Sequence, residues 1–119
     1  MRGLKTKHSS EDKEQEGLIN WFRLKFPGML IFHIPNGEQR ALSVGVRLKK
    51  QGVVAGIPDL FIPALKIFIE LKRKDGGVVS KEQEKIIAYL QRVGYTVWVC
   101  HGAEDASRQL LTFLKEREG

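Results

Sequence analysis

The sequence predicts an α/β fold, a mixed β-sheet flanked by α-helices, from three observations. Helical periodicity marks residues 11–26, a segment beginning at Ser80 and the last fifteen residues. Short apolar runs bounded by Pro, Gly and Asp supply strands at 29–34, 59–63, 66–72 and 96–100. Their order, roughly α-β-(α)-β-β-α-β-α, alternates in the way of a layered α/β domain.

Residues 1–9 read as a loose basic tail and 10–119 as one domain. Ser9 or Ser10 is placed to cap a helix from about Glu11 to Phe26, which stops at Pro27-Gly28. MLIFHI (29–34) reads as a strand and Pro35-Asn36-Gly37 as a turn. Residues 38–51 are ambiguous: Leu42, Val46 and Leu48 have helical spacing, whereas the valines and Gly45 oppose it. Gly52 to Pro58 is a loop. Asp59–Pro63 and Lys66–Lys72 are strands joined by a tight turn, and Asp75-Gly76-Gly77 turns again. Ser80 opens a helix reaching about Val93, TVWVC (96–100) is a buried strand, and Glu104–Arg117 closes the chain. In that last helix Ala106, Leu110, Leu111, Phe113 and Leu114 are expected inside.

The chain has 119 residues, 42% of them apolar, enough for a modest core. Twenty Lys+Arg against fourteen Asp+Glu leave a net charge of +6, which suits an anionic partner, nucleic acid above all. Cys100 is the single cysteine, so an intrachain disulfide or a Cys-based zinc site is excluded and a reducing, cytoplasmic setting is expected. No apolar run reaches the roughly 20 residues of a membrane span. No Walker or Rossmann glycine motif is present. Cys100, Trp21, Trp98 and His33 are expected to be core residues, His33 packed or hydrogen-bonded.

The chemistry concentrates in GIPDLFIPALKIFIELKRK (56–74). Side chains alternate along a strand, so Ile67, Ile69 and Leu71 share one face and Phe68, Glu70 and Lys72 the other. If the two strands pair as a hairpin, Asp59 comes beside Glu70. Two adjacent carboxylates suit an oxygen-seeking divalent cation such as Mg²⁺ or Mn²⁺, and a neighbouring lysine can orient a water or offset charge on a phosphate. The alternative is that Glu70 and Lys72 face solvent and Asp59 is a turn residue.

Two further segments bear on that choice. At about 100° per residue, Leu18, Ile19, Trp21, Phe22 and Phe26 form one helical stripe. Glu11 and Gln15 fall on its extension, Glu14 at its edge and Glu16 behind it, so Glu11 is the acid expected to point inward. It could instead overhang the core and serve only the helix dipole. In SKEQEKIIAYL (80–90), Ser80 and Gln83 fit a capping box, and Gln83 shares a stripe with Ile86, Ile87 and Leu90. Gln83 could face the Glu70 site or simply close the cap. Arg40, Arg47, Lys49 and Lys50 form one basic run, and Lys72, Arg73 and Lys74 another. Both suit phosphate contact or a solvated surface.

The sequence resembles the VRR-NUC (virus-type replication-repair nuclease) family, a branch of the PD-(D/E)xK nucleases. The residues that carry the resemblance are Pro58-Asp59 with Glu70-Leu71-Lys72, Ser10-Glu11-x-x-x-Gln15, HIPNGEQR (33–40), LKKQGVVAGIPDL (48–60), IELKR (69–73), SKEQ (80–83) and GYTVWVCHG (94–102). It looks like the stand-alone form known from phages and bacteria. The resemblance implies a restriction-endonuclease-like core and cleavage of DNA by a metal-activated water. It implies that Asp59, Glu70, the Leu71 carbonyl and Glu11 bind Mg²⁺ or Mn²⁺, that Lys72 positions or activates the water, and that Gln83 supports the site. Gln15 and Asn36 match the pattern without an assigned role. It further implies a homodimer acting on branched DNA such as a Holliday (four-way) junction, whose two-fold symmetry a symmetric dimer matches. Flap, nicked, single-stranded or ordinary duplex DNA is the alternative substrate, and a non-catalytic DNA-binding protein the alternative function.

Overall fold

A computed structural model describes residues 10–35 and 42–118, with side chains for 11–35 and 46–118. The elements are α1 (Ser10–Lys25), β1 (Phe32–His33), α2 (Leu42–Lys50), β2 (Leu60–Ile62), β3 (Ile67–Lys72), α3 (Lys81–Arg92), β4 (Thr96–His101) and α4 (Ala103–Glu118). The sheet has the order β1-β2-β3-β4. The first two pairings are antiparallel and β3–β4 is parallel, with α3 as the crossover. This is the mixed, helix-flanked α/β sheet expected from the sequence.

The strand alternation in β3 holds. Ile67, Ile69 and Leu71 are fully buried against Leu18 and Phe22 of α1 and Ala106 and Leu110 of α4. Each such side chain contributes about 1.5–3 kcal/mol by leaving water. Cys100 lies in the same core, and burial pushes its thiol up to about 12, so it packs as a small apolar group. Trp21 and Trp98 pack partly buried at the margin, Trp98 edge-on against Phe113.

The structure changes three local expectations and resolves a fourth segment. The strand expected at 29–34 shrinks to Phe32–His33, because β1 is an edge strand paired to three-residue β2 and cannot extend past its partner. Ile31 is buried but Leu30 is 61% exposed. The ambiguous segment contains α2, whose last turn carries Arg47, Lys49 and Lys50. The β2–β3 connection is a 3₁₀ turn at Pro63–Leu65, closed by Lys66 in the left-handed region (φ 56°). In α4, Leu111 is 43% exposed while Leu110 is buried, since the inner stripe runs through Ala106, Leu110 and Phe113. Among the described residues no helix is long and apolar enough to cross a membrane.

Candidate active site

The β2–β3 register sets Leu60 opposite Ile69, so the next position places Asp59 across from Glu70 at the open end of the hairpin. Asp59 Oδ2 accepts the Leu71 backbone N–H at 2.8 Å. The Asp59 carbonyl accepts the Ile34 N–H at 2.8 Å and lies 2.9 Å from His33 Nδ1. His33 is thus exposed and hydrogen-bonded rather than a core residue, and it steadies the backbone of Asp59.

Glu70 and Lys72 do not face solvent: they are 3% and 8% exposed. Lys72 Nζ stands 3.2 Å from Glu70 Oε2 and donates to Gln83 Oε1 at 3.0 Å. Gln83 Nε2 donates to Glu70 Oε2 at 2.8 Å. Ser80 and Gln83 form the reciprocal capping box of α3. Both sequence readings of Gln83 therefore hold together: it closes the helix cap and bridges Glu70 to Lys72.

The electrostatics are costly. Burial, then the neighbouring Asp59 charge, push Glu70 up to about 7 against the pull of Lys72, and Glu11 adds to the rise. Burial also raises Asp59; the Leu71 N–H opposes this and Glu11 again adds. Glu70 Oε1 is buried and has no hydrogen-bond partner among the described residues. A buried, unpaired carboxylate oxygen beside a second carboxylate is a donor set for a hard divalent cation.

The remaining expected residues divide. Glu11 stands close enough for its charge to reach both carboxylates. Yet among the described residues no three His, Cys, Asp or Glu side chains converge as a ready-made metal cluster. Glu14 is engaged elsewhere, its Oε1 accepting the Ala103 N–H at 2.6 Å and so capping α4. Gln15 is half-buried one turn beyond Glu11. Arg47, Lys49 and Lys50 are exposed on α2, and Arg73 is exposed just past β3. Asn36 and Arg40 lie outside the described residues.

Gly56 is a site element that sequence reasoning passed over. It is buried at φ +90°, and a Cβ there would meet the Glu82 carbonyl carbon and oxygen at 2.8 Å and the Gln83 nitrogen at 3.1 Å. The loop carrying Asp59 thus lies backbone to backbone on the start of α3. Its only sequence signal was a glycine three residues before Asp59. Gly56→Ala is expected to lower stability by about 2 kcal/mol in a denaturant melt, from the strained φ and the backbone clash together.

A carboxylate pair, a buried lysine and a bridging glutamine at one end of a mixed sheet constitute the PD-(D/E)xK arrangement. A model of the VRR-NUC domain matches residues 6–104, and the chain belongs to that family. A solved structure described as a VRR_NUC domain protein is similar over 90% of this chain and 89% of its own, with a TM-score of 0.73 and 27% identity. No curated protein matches. Membership makes this a nuclease-type, DNA-processing domain.

Proposed function

We propose that the protein is a Mg²⁺- or Mn²⁺-dependent endodeoxyribonuclease selective for branched DNA, acting on four-way junctions as a homodimer. The observation that carries the reading is the Glu70 carboxylate beside Asp59: its Oε2 pairs with Lys72, while its Oε1 is buried with no hydrogen-bond partner among the described residues. A carboxylate in that state is expensive unless a cation completes it.

Asp59 and Glu70 would hold the cation, with the Leu71 carbonyl and Glu11 as further oxygen donors. Such an ion supplies Lewis-acid stabilisation of charge at a scissile phosphate and makes a nearby water more acidic. Lys72 orients the attacking water and offsets the charge that builds on the phosphate. Gln83 holds Lys72 and Glu70 in register. Arg47, Lys49, Lys50 and Arg73 are exposed cations suited to phosphate contact, which favours DNA without selecting a base sequence. A two-fold junction offers equivalent strands to two symmetry-related sites.

The test is a panel of labelled four-way junction, flap, nicked, single-stranded and duplex DNA, each with Mg²⁺, Mn²⁺ or chelator, alongside the protein's mass in solution. Paired cuts in the junction by a dimer, absent with chelator, are expected. Preferential cutting of flaps or duplex would move the substrate assignment. Binding without cleavage of any substrate would leave a DNA-binding domain.

A further inference from the structure

Gln83 occupies an unusual position for a helix-capping residue. Its Oε1 accepts from two donors at once, the Ser80 backbone N–H at 2.8 Å and Lys72 Nζ at 3.0 Å. Its Nε2 donates to Glu70 Oε2 at 2.8 Å. Turning the amide over would set an NH₂ group against two donors and a carbonyl against a carboxylate. The three bonds therefore coexist in one orientation only. Gln83 is 4% exposed, so solvent is poorly placed to replace a lost partner.

Ser80 fixes that orientation from two sides. Its backbone N–H grips the carbonyl end of Gln83, and its Oγ accepts the Gln83 backbone N–H at 3.1 Å, pinning the first turn of α3. Lys72 ends a flexible stem, and its ammonium is held by Glu70 Oε2 at 3.2 Å and by Gln83 Oε1. An ordinary capping box joins a serine to a surface glutamate or glutamine. Here the residue that closes the box is also the bridge between the lysine and the carboxylate.

We propose that Ser80 is a positioning residue of the nuclease site, acting through Gln83 to set where the Lys72 ammonium and the Glu70 carboxylate stand. The inference rests on the reading of Glu70 and Lys72 as the working pair of a nuclease. Without the Ser80 hydroxyl the Gln83 backbone N–H loses its acceptor, the first turn of α3 loosens, and the Gln83 amide is held less firmly against Lys72 and Glu70. Threonine carries the same hydroxyl acceptor and preserves the arrangement.

The test uses the full chain and the variants Ser80→Ala, Ser80→Thr and Ile87→Val, the last trimming α3 away from its cap. Single-turnover junction cleavage with Mg²⁺, DNA affinity and the ¹⁵N-resolved Gln83 side-chain amide of the metal-free, DNA-free protein are measured below every variant's melting range. Ser80→Ala should slow cleavage about tenfold with DNA affinity within about twofold. Ser80→Thr should restore the rate, and Ile87→Val should leave it unchanged. The two Gln83 amide proton signals should be well separated in wild type and Ser80→Thr and merge toward solvent-averaged positions in Ser80→Ala. An unchanged rate in Ser80→Ala, a slowed rate with an unmoved Gln83 amide, or a loss that threonine does not rescue would overturn the proposal. If wild type cuts no DNA, the nuclease reading fails separately. The amide still decides whether Ser80 orients Gln83: merging supports the positioning and no movement overturns it.

Discussion

Glu70→Gln is expected to slow DNA cleavage by roughly a thousandfold while raising the stability of the metal-free protein by about 2 kcal/mol at pH 8. Both effects follow from one carboxylate. Glu70 is buried, its Oε1 has no partner among the described residues, and its pKa is pushed from 4.5 up to about 7. Between those values the folded state binds a proton that the unfolded state has released. Metal-free wild type should therefore lose stability as pH rises from about 4.5 through about 7, then level off. Below that window the acid is protonated in both states and the advantage of glutamine should vanish. Denaturant melts of the two proteins at pH 4.5 and pH 8 read the difference. Saturating Mg²⁺ should raise the melting temperature of wild type more at pH 8 than at pH 5, because the cation competes with that proton. Glu70→Gln should lose most of this response. Equal pH profiles for the two proteins would contradict the buried-charge account.

Lys72→Met is expected to have the opposite effect on stability and the same effect on cleavage. Lys72 Nζ lies 3.2 Å from Glu70 Oε2, and both side chains are nearly closed off from water. Removing the ammonium leaves a buried carboxylate without its counter-charge, which costs about 3 kcal/mol above pH 7. It also strips Gln83 Oε1 of one donor. The double variant Glu70→Gln, Lys72→Met should regain most of the lost stability, since neither charge remains, yet stay inactive. A double variant as unstable as Lys72→Met alone would show that the lysine acts by packing rather than through its charge.

The contrast between these residues and their surroundings explains what the sequence could disclose. Asp59, Glu70 and Lys72 were legible because a strand's period of two and one hairpin register suffice to juxtapose them. Gln83 was legible in part: the capping box and the helical stripe each pointed to it, though not to both roles at once. The burial of Glu70 and Lys72 was not legible, because it depends on α3 crossing back over their face of the sheet. For His33 a hydrogen bond was legible but not its partner, and Gly56 and Glu14 gave no sign of theirs, for a related reason. Their partners lie 26, 26 and 89 residues away in the chain, and no local pattern encodes a hydrogen bond to the Asp59 carbonyl, a backbone contact with Glu82 or a cap on Ala103. The apolar run 29–34 suggests a longer strand than forms because it is partly an exposed edge, and hydrophobicity alone does not distinguish an edge from a core strand.

We propose that Asp59 and Glu70 form a cation-dependent phosphodiester-cleaving site. It is tested most directly by labelled junction DNA incubated with wild type or Asp59→Ala, with and without Mg²⁺, with binding measured in parallel. Cleavage by wild type only when Mg²⁺ is present, and none by Asp59→Ala at equal DNA occupancy, is expected. Cleavage by Asp59→Ala at the wild-type rate, or cleavage by wild type that persists in chelator, would contradict it.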